Sequence, residues 1–189
     1  MSTLLHICCA PCLVFPALEF EREGIDFTGY FYNPNIHPYR EFKKRLQALQ
    51  ELALQRRYKI IYDKDYGLIE FLQAVVFKES KRCRFCYRSR LEKTAQLALD
   101  NDFDSFSSTL LYSKYQNHEQ IVFQAKEVES DLTIPFLYRD FRSGWQQGVD
   151  ESITANLYRQ SYCGCIYSEQ ERYDNRLKKR LKKKRISHV

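Results

Sequence analysis

No stretch of this 189-residue sequence approaches the roughly 18 uninterrupted apolar residues that a membrane-spanning helix requires. Nor does its start read as a secretory signal: Met-Ser-Thr-Leu-Leu-His-Ile-Cys-Cys-Ala has no Lys or Arg ahead of the apolar run and carries His6 inside it. A cytoplasmic protein without a membrane partner is therefore expected. Internal repeats, low-complexity linkers and Gly/Ser hinges are missing too, which points to one domain. No flavin, nicotinamide or cobalamin motif is visible. With hydrophobic residues at 44%, the chain can bury a sizeable core without covalent staples.

Cysteine is what the sequence does have. Its seven cysteines fall in three tight groups: Cys8-Cys9-Ala-Pro-Cys12, Cys83-Arg-Phe-Cys86 and Cys163-Gly-Cys165. Disulfides are the plain alternative, but they belong to oxidising compartments and an odd count leaves one thiol over. Reduced thiolates are soft ligands, and several converging on one point suit zinc or an iron–sulfur cluster. All seven are candidate metal ligands. Groups from the beginning, middle and end of the chain can meet only if the fold gathers them, and that meeting point is the expected active site.

Charge is the second lead. The net charge is +6, and Arg176, Lys178, Lys179, Arg180, Lys182, Lys183, Lys184 and Arg185 fall within ten residues. Such a block favours a polyanion through counterion release, although a solvated tail is the alternative. Further basic residues lie at Arg40, Lys43, Lys44 and Arg45, at Arg56 and Arg57, and at Lys78, Lys81, Arg82, Arg84, Arg88 and Arg90. The last group surrounds Cys83 and Cys86. Thiols among arginines and aromatics point to chemistry on nucleic acid, and the 14 tyrosines add stacking surfaces for unpaired bases.

Strand and helix patterns alternate. Leu4–Cys8 reads as a strand, followed by a helix from Pro11 to about Glu23 with Gly24 as its stop. Phe27–Tyr32 is a second strand, leading into the rigid loop Asn33-Pro-Asn-Ile-His-Pro38, and Tyr39–Arg57 a helix. A third strand is expected over Lys59–Tyr62, helices over Tyr66–Phe77 and Arg84–Asp100, and a fourth strand over Phe103–Ser107. Next come a helix over His118–Ser130, a fifth strand over Thr133–Tyr138, a helix over Trp145–Leu157, a loop over Tyr158–Cys165 and a final helix carrying the basic run. This is an α/β fold with a parallel sheet flanked by helices, and its ligands bind beyond the strands' C-terminal ends. The catalytic metal-cluster domain is expected over residues 1–175, with 176–189 as a basic tail.

Two ligand sets stay open on spacing alone. Adjacent Cys8 and Cys9 should point apart from an extended chain, yet could reach different irons of one cluster. Cys83 and Cys86 sit three residues apart at a helix start, where thiolates are favoured. Those four suit a [4Fe–4S] cluster, while Cys9-x-x-Cys12 with Cys83-x-x-Cys86 would suit tetrahedral zinc. Cys163-Gly-Cys165 could face one metal or close a strained, easily reduced disulfide. Cys12 is either a further ligand or a buried structural thiol. His37 is a candidate acid in its rigid loop. His6 reads as a core histidine, and His118 and His188 carry little weight.

His6-Ile-Cys-Cys-Ala-Pro-Cys12, Tyr32-Asn-Pro-Asn-Ile-His-Pro38, Cys83-Arg-Phe-Cys-Tyr87 with Arg90-Leu91, and Tyr158-Arg-Gln-Ser-Tyr-Cys-Gly-Cys165 resemble the cobalamin-independent epoxyqueuosine reductases, the QueH family. The resemblance spans roughly Leu4 to Ser168. It implies reduction of epoxyqueuosine to queuosine at the wobble position of tRNA, the last step of queuosine synthesis. It also implies a Rossmann-like, adenine-nucleotide-hydrolase-like fold and a [4Fe–4S] cluster on Cys8, Cys9, Cys83 and Cys86. Cys163 and Cys165 would then be a redox-active pair. In that family the position of Cys12 can be acidic, which favours a second, mononuclear metal (iron) beside the cluster. Electrons would come from an external donor, and His37 or a tyrosine would supply a proton. A related-fold tRNA sulfur-transferase would need a Ser-Gly-Gly-x-Asp-Ser loop after the first strand, where this chain has Cys-Cys-Ala-Pro-Cys. A zinc-stabilised RNA-binding module would need no redox centre.

Overall fold

The structure, a computed structural model, describes residues 1–178. Four strands, β1 (Ser2–His6), β2 (Asp26–Phe31), β3 (Ile60–Tyr62) and β4 (Ser105–Ser108), form one parallel sheet in the order β3-β2-β1-β4. Among the described residues these helices pack around it: α1 (Ala10–Arg22), α2 (Tyr39–Arg56), α3 (Leu68–Val75), α4 (Arg82–Asp100), α5 (His118–Leu132), α6 (Trp145–Thr154) and α7 (Ile166–Tyr173). Central β1 is covered on both faces, and Thr3, Leu4, Leu5 and His6 are all fully buried, as parallel sheets demand. Gly24 ends α1 as expected: at φ +66° it lets its own N–H reach the Glu21 carbonyl and the Ile25 N–H reach Phe20.

The chain winds outward from β1 through β2 to β3, then crosses back to place β4 on the other side of β1. That reversal opens a crevice beyond the C-terminal ends of β1 and β4, the usual ligand position in such sheets. The Cys8 N–H donates across it to Thr109 Oγ1 at 3.1 Å. Among the described residues no helix is long and apolar enough to cross a membrane.

Four boundaries differ from the sequence reading. β1 stops at His6, so Cys8 and Cys9 belong to the connection into α1 rather than to the strand. The expected fifth strand, Thr133–Tyr138, makes only a single bridge to Phe106. Pro135 has no N–H for a ladder, so the pairing is limited to Phe106 N–H on the Pro135 carbonyl and Leu137 N–H on the Phe106 carbonyl. A short 3-10 turn, Thr109–Tyr112, follows β4 directly. The final helix is broken at Asp174: α7 ends at Tyr173, and residues 175–178, which open the basic run, are helical again. Of that run, Lys179, Arg180, Lys182, Lys183, Lys184 and Arg185 lie outside the described residues, while Arg176 is exposed and Lys178 half-buried.

Candidate active site

The Cys8, Cys9 and Cys12 sulfurs all lie within 4.8 Å of one another, a grouping that could hold a metal ion. Cys8 and Cys9 do not diverge as an extended strand would have them, and their sulfurs are 3.8 Å apart. The chain bends at Cys8 and the extended Cys9 caps α1, which turns both side chains to one side; Cys12 joins them one helical turn on. Their acid–base chemistry is shared. Thiol donation from Cys12 and Cys9, with help from Thr109, holds Cys8 well below the usual thiol range. Burial pushes Cys9 up, and donation to Cys8 raises Cys12. Of the three, Cys8 is the thiol that gives up its proton most readily, and a metal would take the place of the protons on the others.

The other four cysteines form a second group. Cys83 and Cys86 occupy the first turn of α4, as expected. Buried Cys86 and Cys165 pack in one apolar cluster with Phe71 and Val75, while Cys83 and Cys163 are exposed. Burial pushes Cys86 up to about 12, with Arg90 opposing and Cys163, Cys165 and Cys83 reinforcing it, so the four thiols lie within electrostatic reach. All seven cysteines are free thiols.

Arg90 lies between the two groups. It is fully buried, and donates through Nε to the Cys86 carbonyl at 2.8 Å and through Nη2 to the Cys86 sulfur at 3.1 Å. Its charge is felt by Cys8 and Cys163 as well. A cavity of about 660 Å³ opens over this arrangement, with Cys8, Cys12, Arg90 and Cys163 on its wall. Further donors aim at sulfur. Gln160 Nε2 donates to Cys9 at 2.9 Å, and Gln116 Nε2 to Cys163 at 3.2 Å, itself held by the Tyr87 hydroxyl at 2.8 Å. Outer partners of this kind orient thiolate ligands.

The Cys163–Cys165 loop is clamped from α2. Arg45, buried, donates to the Cys163 carbonyl (2.7 Å), the Tyr162 carbonyl (3.0 Å) and Glu41 (2.7 Å); Tyr158 donates to the other Glu41 oxygen at 2.5 Å. Gly164 sits at φ +155°, and a Cβ there would lie 3.0 Å from the Asn35 amide. Its carbonyl accepts the His37 N–H at 2.8 Å.

The His37 ring itself is buried away from the cavity, against Phe71 and Tyr66. Burial lowers its pKa to about 4, so it is neutral near pH 7. His6 is a core histidine: Nε2 donates to the Tyr32 carbonyl, leaving Nδ1 to accept from Ser108. Burial and Arg90 take it down to about 3.

Arg45 and Arg90, which the sequence reading counted as basic residues, are buried. A signal was available. Arg45 shares a helical face with Phe42, Leu46 and Leu49, and Arg90 with Tyr87, Leu91 and Thr94, all buried. Gln160 lay within the quoted Tyr158–Cys165 motif and Gln116 in the polar segment after the fourth strand, but neither was singled out.

The family model for epoxyqueuosine reductase QueH matches residues 3–171. A curated relative of that name from Dehalococcoides mccartyi is 35% identical over 170 residues, covering 90% of this chain and 93% of the relative. The chain belongs to the epoxyqueuosine reductase QueH family. A QueH relative from Thermotoga maritima is also 35% identical, over 181 residues, 90% of this chain and 92% of the relative. Among solved structures, a predicted subunit of a tRNA methyltransferase from Methanocaldococcus jannaschii aligns with a TM-score of 0.54 at 11% identity. It covers 81% of this chain and 74% of that one. That likeness concerns the fold alone, a parallel α/β sheet flanked by helices as expected.

Proposed function

We propose that the chain reduces the epoxide of epoxyqueuosine in tRNA to give queuosine, using an iron–sulfur cluster. The observation that carries this reading is a cavity at the sheet's switch point with Cys8, Cys12 and Cys163 on its wall, and with buried Arg90 on the same wall donating to the Cys86 sulfur, in a member of the QueH family. An all-thiol donor set with Gln116, Gln160 and Arg90 directed at its sulfurs suits such a cluster. Cys8, Cys9, Cys83 and Cys86 would ligate [4Fe–4S]. Cys12 would turn toward a neighbouring iron, and Cys163 with Cys165 would serve as a redox pair beside it.

The reaction breaks both carbon–oxygen bonds of the epoxide, forms a carbon–carbon double bond and releases the oxygen as water. It consumes two electrons and two protons. When bound, the cluster would supply electrons singly, and the neighbouring iron at Cys12 would supply a Lewis acid for the epoxide oxygen. The protein's part is placement. Arg90 sets a fixed positive charge beside the oxygen's path and offsets the thiolates. Arg45 and the His37 N–H hold the Cys163–Cys165 loop against the cavity. His37 acts here through its backbone, since its neutral ring faces away, and protons enter from solvent in the open cavity. Electrons come from an external reductant.

The test is anaerobic. Reconstituted protein, assayed for iron and acid-labile sulfide, should convert epoxyqueuosine in isolated tRNA when given a low-potential chemical reductant. Protein that binds only zinc and leaves the epoxide intact would overturn the reading in favour of a zinc-stabilised RNA-binding module.

A further inference from the structure

The cavity has a feature that the sulfur chemistry does not use. Its mouth carries Tyr115, 80% exposed, and Trp145, whose rings meet almost at right angles, 89°, with centroids 5.3 Å apart. A lone exposed aromatic is ordinary on a protein surface. This corner is built. Trp145 stacks on Tyr112 at 5.1 Å and 26°, and the Tyr112 hydroxyl donates to the Trp145 carbonyl at 2.9 Å. Tyr112 in turn stacks on Phe15 of α1, so the corner is anchored in the core. Lys114 holds its ammonium 5.1 Å from the Trp145 ring and 5.6 Å from the Tyr115 ring. Arg159 is exposed on the same cavity wall, and among the described residues neither cation has an ion-pair partner.

A flat, exposed ring beside unpaired cations is the arrangement that receives an unstacked nucleobase and its phosphates. An apolar peptide would find no use for the two cations, and a polyphosphate none for the rings. A double helix could not bring a base edge-on into a corner at a cavity mouth.

We propose that Tyr115 and Trp145 form a stacking corner for a nucleobase of single-stranded RNA, with Lys114 and Arg159 taking the adjoining phosphates. This rests on the tRNA reading above and deepens it: the anticodon loop is gripped at the cavity mouth, and one of its bases is stacked while the modified base enters toward Cys8 and Cys163.

Trp145 is the chain's sole tryptophan, so its emission reports directly on the corner. Anaerobic holoprotein is titrated with an anticodon stem-loop RNA, and separately with inorganic polyphosphate, which carries the charge without bases. RNA should change the Trp145 emission saturably and polyphosphate should not. Stacking on an aromatic ring is worth enough that Tyr115→Ala should weaken RNA binding by about 5- to 150-fold. Tyr115→Phe keeps the ring and should bind as the parent does. Because Tyr115 is exposed, unchanged far-UV circular dichroism will show that the Ala variant is folded. Unaltered RNA affinity in that variant, or equal emission changes with polyphosphate, would overturn the proposal. Failure of the protein to convert epoxyqueuosine would instead strike the functional reading, whereas normal conversion with unchanged Tyr115→Ala binding would strike the stacking corner alone.

Discussion

Removing Arg45 should unfold far more than a single side chain's worth of structure. Its guanidinium satisfies a buried carboxylate and two carbonyls of the Cys163 loop at once, at 2.7–3.0 Å. Arg45 and Glu41 side chains are 2% and 9% exposed, so solvent screens the pair little. In Arg45→Met the Glu41 charge would stay buried with only Tyr158 to meet it. Losing one member of such a pair costs about 3–5 kcal/mol. For a chain of this size each kcal/mol moves the melting temperature by about 2–4 °C, so a drop of roughly 6–20 °C is expected. The assay is urea and thermal unfolding of metal-free, reduced protein, followed by circular dichroism and Trp145 emission. The double variant Glu41→Gln/Arg45→Met should recover part of the loss, because the stranded charge is gone. Arg88→Met is the control: its carboxylate partners Glu92 and Asp131 are 50% and 58% exposed, and the change should cost at most about 1 kcal/mol. An Arg45→Met protein as stable as Arg88→Met would refute the clamp.

Three further outcomes follow from the same geometry. Cys83→Ala should lose most of its iron on anaerobic reconstitution, whereas Cys163→Ser should lose activity more than iron; the reverse order would break the division into cluster ligands and redox pair. Burial lowers His37 to about 4 from 6.5, so between those pH values the unfolded chain takes up a proton that the folded one refuses. Stability should therefore fall with falling pH across that window, more steeply than in His37→Gln by up to about 1.4 kcal/mol per pH unit; parallel urea-midpoint curves would contradict it. Truncation after Asp174 removes Arg176 to Arg185 and should weaken tRNA binding and flatten its salt dependence while leaving iron content unchanged; an identical salt slope would make the run a solvated tail.

The sheet and the position of Cys83 and Cys86 at the start of α4 were legible, because buried parallel strands and amphipathic helices leave strong periodic patterns. The fifth strand failed for a local reason: an apolar run with Pro135 at its centre has the look of a strand but lacks the donor a ladder needs. The close approach of Cys8, Cys9 and Cys12 was missed because ending β1 two residues earlier changes where every following side chain points. The burial of Arg45 and Arg90 went unread for a different reason. A buried arginine is uncommon and is defined by its partners, and those partners, the Tyr162 and Cys163 carbonyls and the Cys86 sulfur, are set by tertiary structure. The stacking corner of Tyr115 and Trp145 joins a loop to α6 and leaves no local pattern at all.

The most direct test of the account is complementation. The chain is expressed in a bacterium whose resident epoxyqueuosine reductase has been deleted, and the nucleosides of its bulk tRNA are separated and weighed by mass spectrometry. The account predicts that queuosine reappears and epoxyqueuosine disappears, and that Cys8→Ala abolishes the conversion. Persistent epoxyqueuosine in cells that contain soluble, iron-loaded protein would contradict it.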